Sequence, residues 1–323
     1  METIPLPGCA IAPSQLCFGT NMFGTAQDRD AAQELLDTFF AGGGNFLDTA
    51  HSYGDWVPGT ERAASERLLG DLLASRPRTS YLLATKGCEF DYRAADFALR
   101  VTPALMEQDL GESLENLKMH HVDLYWLHRD DPSRPAAEIV DALIAAQASG
   151  RIRLFGCSNW TATRIAEAQA HAASRGHPGF AASQPMWGLA EPDRNVIAGY
   201  APGAYYEDGH QAVHAAGITQ IPYSGQSRGY FSKLAAGKTG EAMGADIAKV
   251  YDHDINRRKL PVLQALAARR SCDVNAVVLA YLCSQPLPTI PIIGASSAAQ
   301  LRDSMAATRI RLDAAELRQL REA

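Results

Sequence analysis

The chain has 323 residues, 46% of them apolar and 20% charged, and a formal net charge of -6. These are the proportions of an ordinary globular protein, long enough to bury a large core without staples. The acidic balance gives no basic face for nucleic acid, since the densest basic run, Arg257-Arg258-Lys259, reads as a solvated helix start.

Short apolar runs alternate with amphipathic stretches almost from end to end. The first residues, Met1-Glu2-Thr3-Ile4-Pro5-Leu6-Pro7, lack a basic segment followed by an apolar run and do not read as a signal peptide. A strand is predicted at 16–18, then a helix near 30–40 that ends in Gly42-Gly43-Gly44. A strand at 46–48, a helix at 65–75 and a strand at 81–85 follow. At 102–119 Thr102 suits a helix cap and Pro103 its first turn, with Leu105, Leu110, Leu114 and Leu117 as the apolar stripe. Next come a strand at 124–127, a helix at 136–148, a strand at 152–156 and a helix at 161–174. Strands are predicted at 180–183 and 218–222, helices at 260–270 and 275–284, and a last strand at 289–293. Two helices close the chain at 297–307 and 313–321, the second opening with a capping-box pattern at Asp313 and Glu316. The stretches 191–209 and 224–256 are long for connections and read as lids or binding loops. No apolar stretch approaches membrane-spanning length.

Eight strand–helix alternations point to the α/β class: a (β/α)8 TIM barrel, one domain over residues 1–323, with extended loops and additional C-terminal helices. Such barrels build their sites at the C-terminal ends of the strands. Three strand-like runs end there in ionisable groups: Asp48 with Tyr53 close behind, Lys86, and His128. A tyrosine has an ordinary pKa of about 10 and becomes a usable acid near neutral pH only beside a cation. Lys86 is such a cation. The six cysteines, Cys9, Cys17, Cys88, Cys157, Cys272 and Cys283, show no paired ligand spacing, and His120-His121 has no partner at zinc-ligand spacing. Reduced thiols, no metal and a cytoplasmic location are therefore expected.

Together these motifs resemble the aldo-keto reductase superfamily. The resemblance runs from Asp48-Thr49-Ala50 with Tyr53-Gly54 through Ser65-Glu66, Leu69-Gly70, Thr85-Lys86 and Leu127-His128. It continues through Gly156-Cys157-Ser158-Asn159, Ser183-Gln184, Tyr223-Ser224 and Gly294-Ala295-Ser296 with Gln300-Leu301. It implies carbonyl reduction by hydride transfer from a nicotinamide, with a tetrad of Asp48, Tyr53, Lys86 and His128. Tyr53 would protonate the forming alkoxide, Lys86 would depress its pKa, Asp48 would hold the lysine charged, and His128 would orient the substrate oxygen. The same resemblance implies that Ser158, Asn159 and Gln184 hold the nicotinamide carboxamide and that Tyr223 stacks on its ring. Ser224, Gln226, Ser227 and Arg228 would lie along the pyrophosphate, and Gly19, Thr20 and Asn21 beside the nicotinamide ribose, with Asp48 also counted among the cofactor contacts. Gly294, Ser296, Gln300, Asp303 and Ser304 would take the adenosine end. NADP(H) is favoured as the family's commoner choice; NAD(H) stays open, because no Lys or Arg stands at Ser296 or Ser297.

A small-molecule carbonyl is the expected partner, in a pocket drawn from Phe23, Trp56, Trp187 and residues of 191–209. Arg129-Asp130-Asp131 after His128 hints at a polar, sugar-type carbonyl. Two other readings compete: a cofactor-binding regulatory subunit of the same fold, and a barrel aldolase forming a Schiff base on Lys86. No heptad or isolated apolar strip indicates an oligomeric state, and neither membrane nor nucleic acid is expected as a partner.

Overall fold

A computed structural model describes residues 1–199 and 203–323. Its strands are β1 (Cys17–Gly19), β2 (Phe46–Asp48), β3 (Leu82–Gly87), β4 (Val122–Leu127), β5 (Ile152–Ser158), β6 (Ala182–Gln184), β7 (Thr219–Gln220) and β8 (Ile292–Ile293). All pair in parallel, in the order β7-β6-β5-β4-β3-β2-β1-β8. The remaining seam, between β7 and β8, is closed by main-chain bonds at the strand ends. Ile290 N donates to Gln220 O at 2.9 Å and Ile292 N to Pro222 O at 2.9 Å. The sheet is thus a barrel, as eight alternations predict.

Between the strands run α1 (Arg29–Ala41), α2 (Ala64–Leu73), α3 (Pro103–Leu117), α4 (Ala136–Ala148) and α5 (Ala162–Ser174). The first stretch read as a long loop holds the short helix α6 (Arg194–Ile197), with α7 (His210–Ala215) beginning just past its end, and the second holds α8 (Tyr230–Ala235) and α9 (Ala245–Tyr251). Each is too short to show a helical period by pattern alone. The chain then runs through α10 (Asp254–Arg270), α11 (Val274–Cys283), α12 (Ala298–Ala306) and α13 (Ala314–Glu322). Helix α10 starts six residues before the predicted point, and Pro261 lies inside it, where it withholds one main-chain donor. The capping box at Asp313 and Glu316 is formed, and Thr102 caps α3 through Leu105 N.

Two layers of apolar side chains follow from strand alternation. Phe18, Leu47, Leu83, Tyr125, Leu127, Phe155 and Cys157 face outward to the helices. Cys17, Phe46, Leu82, Ala84, Leu124, Trp126, Leu154 and Ala182 face inward and fill the barrel with Ile221 and Ile290. Leu6 joins that inner layer from an N-terminal turn, in which Ile4 N donates to Pro13 O at 2.9 Å. A further cluster, with Trp187, Tyr230, Leu263 and Leu282, packs the later helices against the barrel.

Candidate active site

Stepping in twos from the inward-facing residues leads to one rim. After Phe46 comes Asp48; after Leu82 and Ala84 comes Lys86; after Leu124 and Trp126 comes His128. The same count places Ser158 beyond Leu154 and Gly156, and Gln184 beyond Ala182. Strand register then sets Asp48 opposite Ala84 and Lys86 opposite Trp126. Parity and register together bring these side chains to one end of the barrel.

Lys86, 1% exposed, is the hub. Its Nζ donates to Asp48 Oδ2, to the Thr49 carbonyl at 2.8 Å and to the Tyr53 hydroxyl at 2.8 Å. The other oxygen of Asp48 accepts from Trp126 Nε1 and from Gln184 Nε2, each at 3.1 Å. Room for the indole comes from Gly156, where a methyl group would stand 2.5 Å from the Trp126 ring. Burial is the largest influence on Lys86 and lowers its pKa, but Asp48 and Tyr53 together outweigh it and hold the amine charged. Burial likewise lifts the Asp48 carboxyl above its ordinary value, against Lys86, Gln184 and Trp126. With charge-assisted donors on both oxygens, we read the pair as ionised.

Tyr53 departs from expectation. Burial raises its phenol above the ordinary value, and Lys86 pulls it down without prevailing. The lysine therefore tempers the penalty of burying a phenolate rather than depressing the pKa outright, and Tyr53 rests as a protonated phenol. The His128 ring lies 5.9 Å from that of Tyr53 and nearly edge-on to it. Burial first, then Lys86 and Arg129, push its pKa well below the ordinary histidine value, so the imidazole rests neutral.

The expected cofactor residues fall along the same rim. Ser158 donates to the Gln184 carbonyl at 3.0 Å, and Asn159, in the left-handed region at φ 59°, donates to the His128 carbonyl at 2.9 Å. Asn159 Oδ1 accepts from the Tyr223 hydroxyl at 2.8 Å. The loop after β7 carries Ser224, Ser227 and Arg228 at φ 60°, 48° and 53°. Non-glycine residues rarely adopt that region, and here it accompanies tight turns in which Ser227 N donates to Ser224 O and Gly229 N to Gln226 O, each at 2.8 Å. Gln226 ties this loop to the neighbouring segment after β8: its amide donates to Ser304 Oγ at 3.1 Å and its oxygen accepts from Gly294 N at 3.3 Å. Ser296 bonds Gln300 Oε1 at 2.8 Å at the start of α12, which Ser297 caps. Gly294, Ser296, Gln300 and Asp303 are exposed, Asn21 is exposed, Gly19 half-buried, and Ser304 buried. Thr20 is fully buried and its hydroxyl is engaged with Ser65 Oγ at 3.0 Å, so what it offers a ligand is position rather than a free group. Amide and hydroxyl groups at the ends of β5 and β6 and a helix N-terminus at α12 fit a nicotinamide dinucleotide laid across the rim. Among the described residues no cluster of His, Cys, Asp or Glu could hold a metal ion.

The substrate side differs from the sequence reading. Phe23 is fully buried against Phe18, and Trp187 is buried in a stack on Tyr206 at 3.6 Å, so neither lines an open pocket. Phe23 joins the apolar layer between strands and helices, and Trp187 the cluster of the later helices, contacts that sequence position alone does not reveal. Trp56 does stand at the rim, 38% exposed and edge-on to Tyr53. Tyr92 and Phe90 extend that aromatic run, a feature the sequence reading missed because they come from an irregular loop after β3. Asp130 is held by Arg164 at 3.1 Å, and Asp131 accepts from Ser133. Residues 200–202, part of the predicted lid, lie outside the described residues. Trp126 and Glu89 also went unremarked. For Trp126 the signal was present: an inward-facing indole two residues before His128 needs a partner for its N–H.

Comparison with known proteins agrees with this geometry. The profile of the Aldo/keto reductase family matches residues 15–323. The chain belongs to the aldo/keto reductase family, whose enzymes use nicotinamide cofactors. It is 28% identical over its whole length to the uncharacterized oxidoreductase YrpG of Bacillus subtilis, covering 95% of that protein. It is 28% identical to norsolorinic acid reductase B of Aspergillus parasiticus, over 89% of this chain and 75% of the relative. Among solved structures it resembles a thermostable aldo-keto reductase, Tm1743, crystallised with the inhibitor epalrestat. That likeness has a TM-score of 0.73 at 20% identity, over 100% of this chain and 99% of the other. No helix among the described residues is long and apolar enough to cross a membrane.

Proposed function

We propose that this protein reduces an aldehyde or ketone to an alcohol with NADP(H), and that Tyr53 delivers the proton. The observation that carries the proposal is the buried ammonium of Lys86 bonded at once to Asp48 and, at 2.8 Å, to the Tyr53 hydroxyl. A bound nicotinamide would supply the hydride. Tyr53, a protonated phenol, gives its proton to the oxygen that gains charge, and Lys86 stabilises the phenolate left behind. Asp48 fixes the amine in place, with Trp126 and Gln184 fixing Asp48 in turn. His128 presents its imidazole beside Tyr53 to orient the carbonyl oxygen. Ser158, Asn159 and Gln184 Oε1 would hold the carboxamide, while Gln184 Nε2 stays on Asp48.

A Schiff base needs a neutral amine, and the raised pKa of Lys86 speaks against the aldolase reading. The polar, sugar-type carbonyl loses support, because Asp130 and Asp131 are bound within the protein. Trp56 and Tyr92 beside Tyr53 favour a substrate with a planar or aromatic portion.

The test is a panel of aromatic aldehydes, ketones and aldoses, run with NADPH and NADH on wild type and Tyr53→Phe. Turnover is expected to favour NADPH and planar carbonyls, and to fall by about two to four orders of magnitude in the variant. Near wild-type turnover by Tyr53→Phe would remove the phenol from the mechanism, and a clear NADH preference would reverse the cofactor assignment.

A further inference from the structure

Behind His128 stands a second carboxylate. Glu89 lies two residues past the end of β3, and its side chain is 3% exposed. Its Oε1 accepts from Arg129 Nε at 2.8 Å and from Phe90 N at 3.3 Å. Its Oε2 stands 3.3 Å from His128 Nδ1. Both of these atoms are buried, they face each other, and neither has another hydrogen-bond partner among the described residues; the contact has the distance but not the angle of a formed bond. Leaving two such atoms unpaired is costly, so a small ring rotation that joins them is favoured.

We propose that Glu89 is a positioning residue that sets the tautomer of His128, so that the imidazole offers Nε2–H to the substrate oxygen. The inference rests on the carbonyl-reductase reading for its purpose, though not for its chemistry. A carboxylate oxygen and a ring nitrogen at this distance need one proton between them, since two lone pairs repel. If the dyad holds two protons, one lies between Oε2 and Nδ1 and the other is on Nε2, which then donates to a carbonyl. If it holds one, that proton goes to Nδ1, the ring becomes neutral with a bare Nε2, and the donor is lost. Proton loss with rising pH therefore switches the ring from donor to acceptor, and the two groups titrate as a pair.

The surroundings favour retention of the second proton on the carboxyl side. Burial, set against Arg129, raises the Glu89 pKa, while burial, Lys86 and Arg129 keep His128 from charging. The charged and titratable groups around the dyad are Lys86 from β3, Tyr53 from the loop after β2, Tyr92 from the loop after β3 and Arg129 from the loop after β4.

Glu89→Gln tests the proposal because the geometry dictates how the amide must sit. Arg129 Nε and Phe90 N are both donors, so the amide oxygen takes their side and the NH2 faces His128 Nδ1. That locks the ring as Nε2–H at every pH. Two measurements are made on wild type and variant: the ring tautomer by long-range proton–nitrogen NMR, and kcat/KM for carbonyl reduction against pH. In wild type, the ring is expected to pass to Nδ1–H as pH rises, and kcat/KM to fall about tenfold per pH unit above that transition. In Glu89→Gln, the ring stays Nε2–H, that descending limb disappears, and kcat at the acidic end stays within about threefold of wild type. A variant that keeps the wild-type descending limb, or whose ring adopts Nδ1–H, overturns the proposal. The tautomer is read without substrate, so a protein that reduced no carbonyl would refute the reductase reading while leaving this test intact.

Discussion

At the scale of single residues, the site is a lesson in what surrounds a charge. Burial alone would lower the pKa of Lys86; with Asp48 and Tyr53 in contact, its ammonium is the favoured state. Asp48 is held in turn by an indole, and the indole has space only because residue 156 has no side chain. Gly156→Ala would put a methyl group 2.5 Å from the Ala182 carbonyl oxygen as well as from the Trp126 ring. Backbone cannot yield as a flexible side chain can. We expect a loss of about 1–3 kcal/mol in urea unfolding, with reduced turnover as the indole leaves Asp48. A variant as stable and active as wild type would mean that the Trp126 contact is incidental.

At the scale of elements, strand parity does most of the positioning and helix ends do the anchoring. Helix α3 packs beneath β3, where Asp109 accepts from Cys88 N at 2.8 Å and so steadies the chain that leads to Glu89. Its start is capped by Thr102, while Gly111 in its middle meets nothing within 4 Å of an added methyl group. Opposite effects follow. Thr102→Ala should cost about 1 kcal/mol through the lost cap. Gly111→Ala should gain about 0.5–1 kcal/mol by narrowing the unfolded ensemble and favouring helix. Denaturant midpoints compare them directly, and shifts of the same sign would contradict this account of α3. Helix α3 was legible because cap, proline and leucine spacing agree; α6 to α9 were not, because four to seven residues carry too little periodicity.

At the scale of the whole molecule, the barrel is closed twice. Its seam is sealed by Gln220 and Pro222 bonding to residues just before β8 and within it, and its interior is filled from the N-terminal side by Leu6. Leu6 is 4% exposed within the inner layer. Leu6→Ala should destabilise the protein by about 2–5 kcal/mol, because the fixed strands around it cannot collapse onto the space. A loss below about 1 kcal/mol in the same unfolding assay would show that the N-terminal turn merely rests on the barrel.

The order of strands and helices, the inward parity of Asp48, Lys86 and His128, and the motifs that mark the family were all properties of the chain read in line. Each depends on local spacing, and local spacing is written in sequence. Only the tertiary structure decided that burial outweighs Lys86 at Tyr53, that Phe23 and Trp187 belong to cores, and that Glu89 faces His128. Those outcomes depend on which residues from distant segments become neighbours, and on how much water they exclude. Neither quantity exists until the barrel closes.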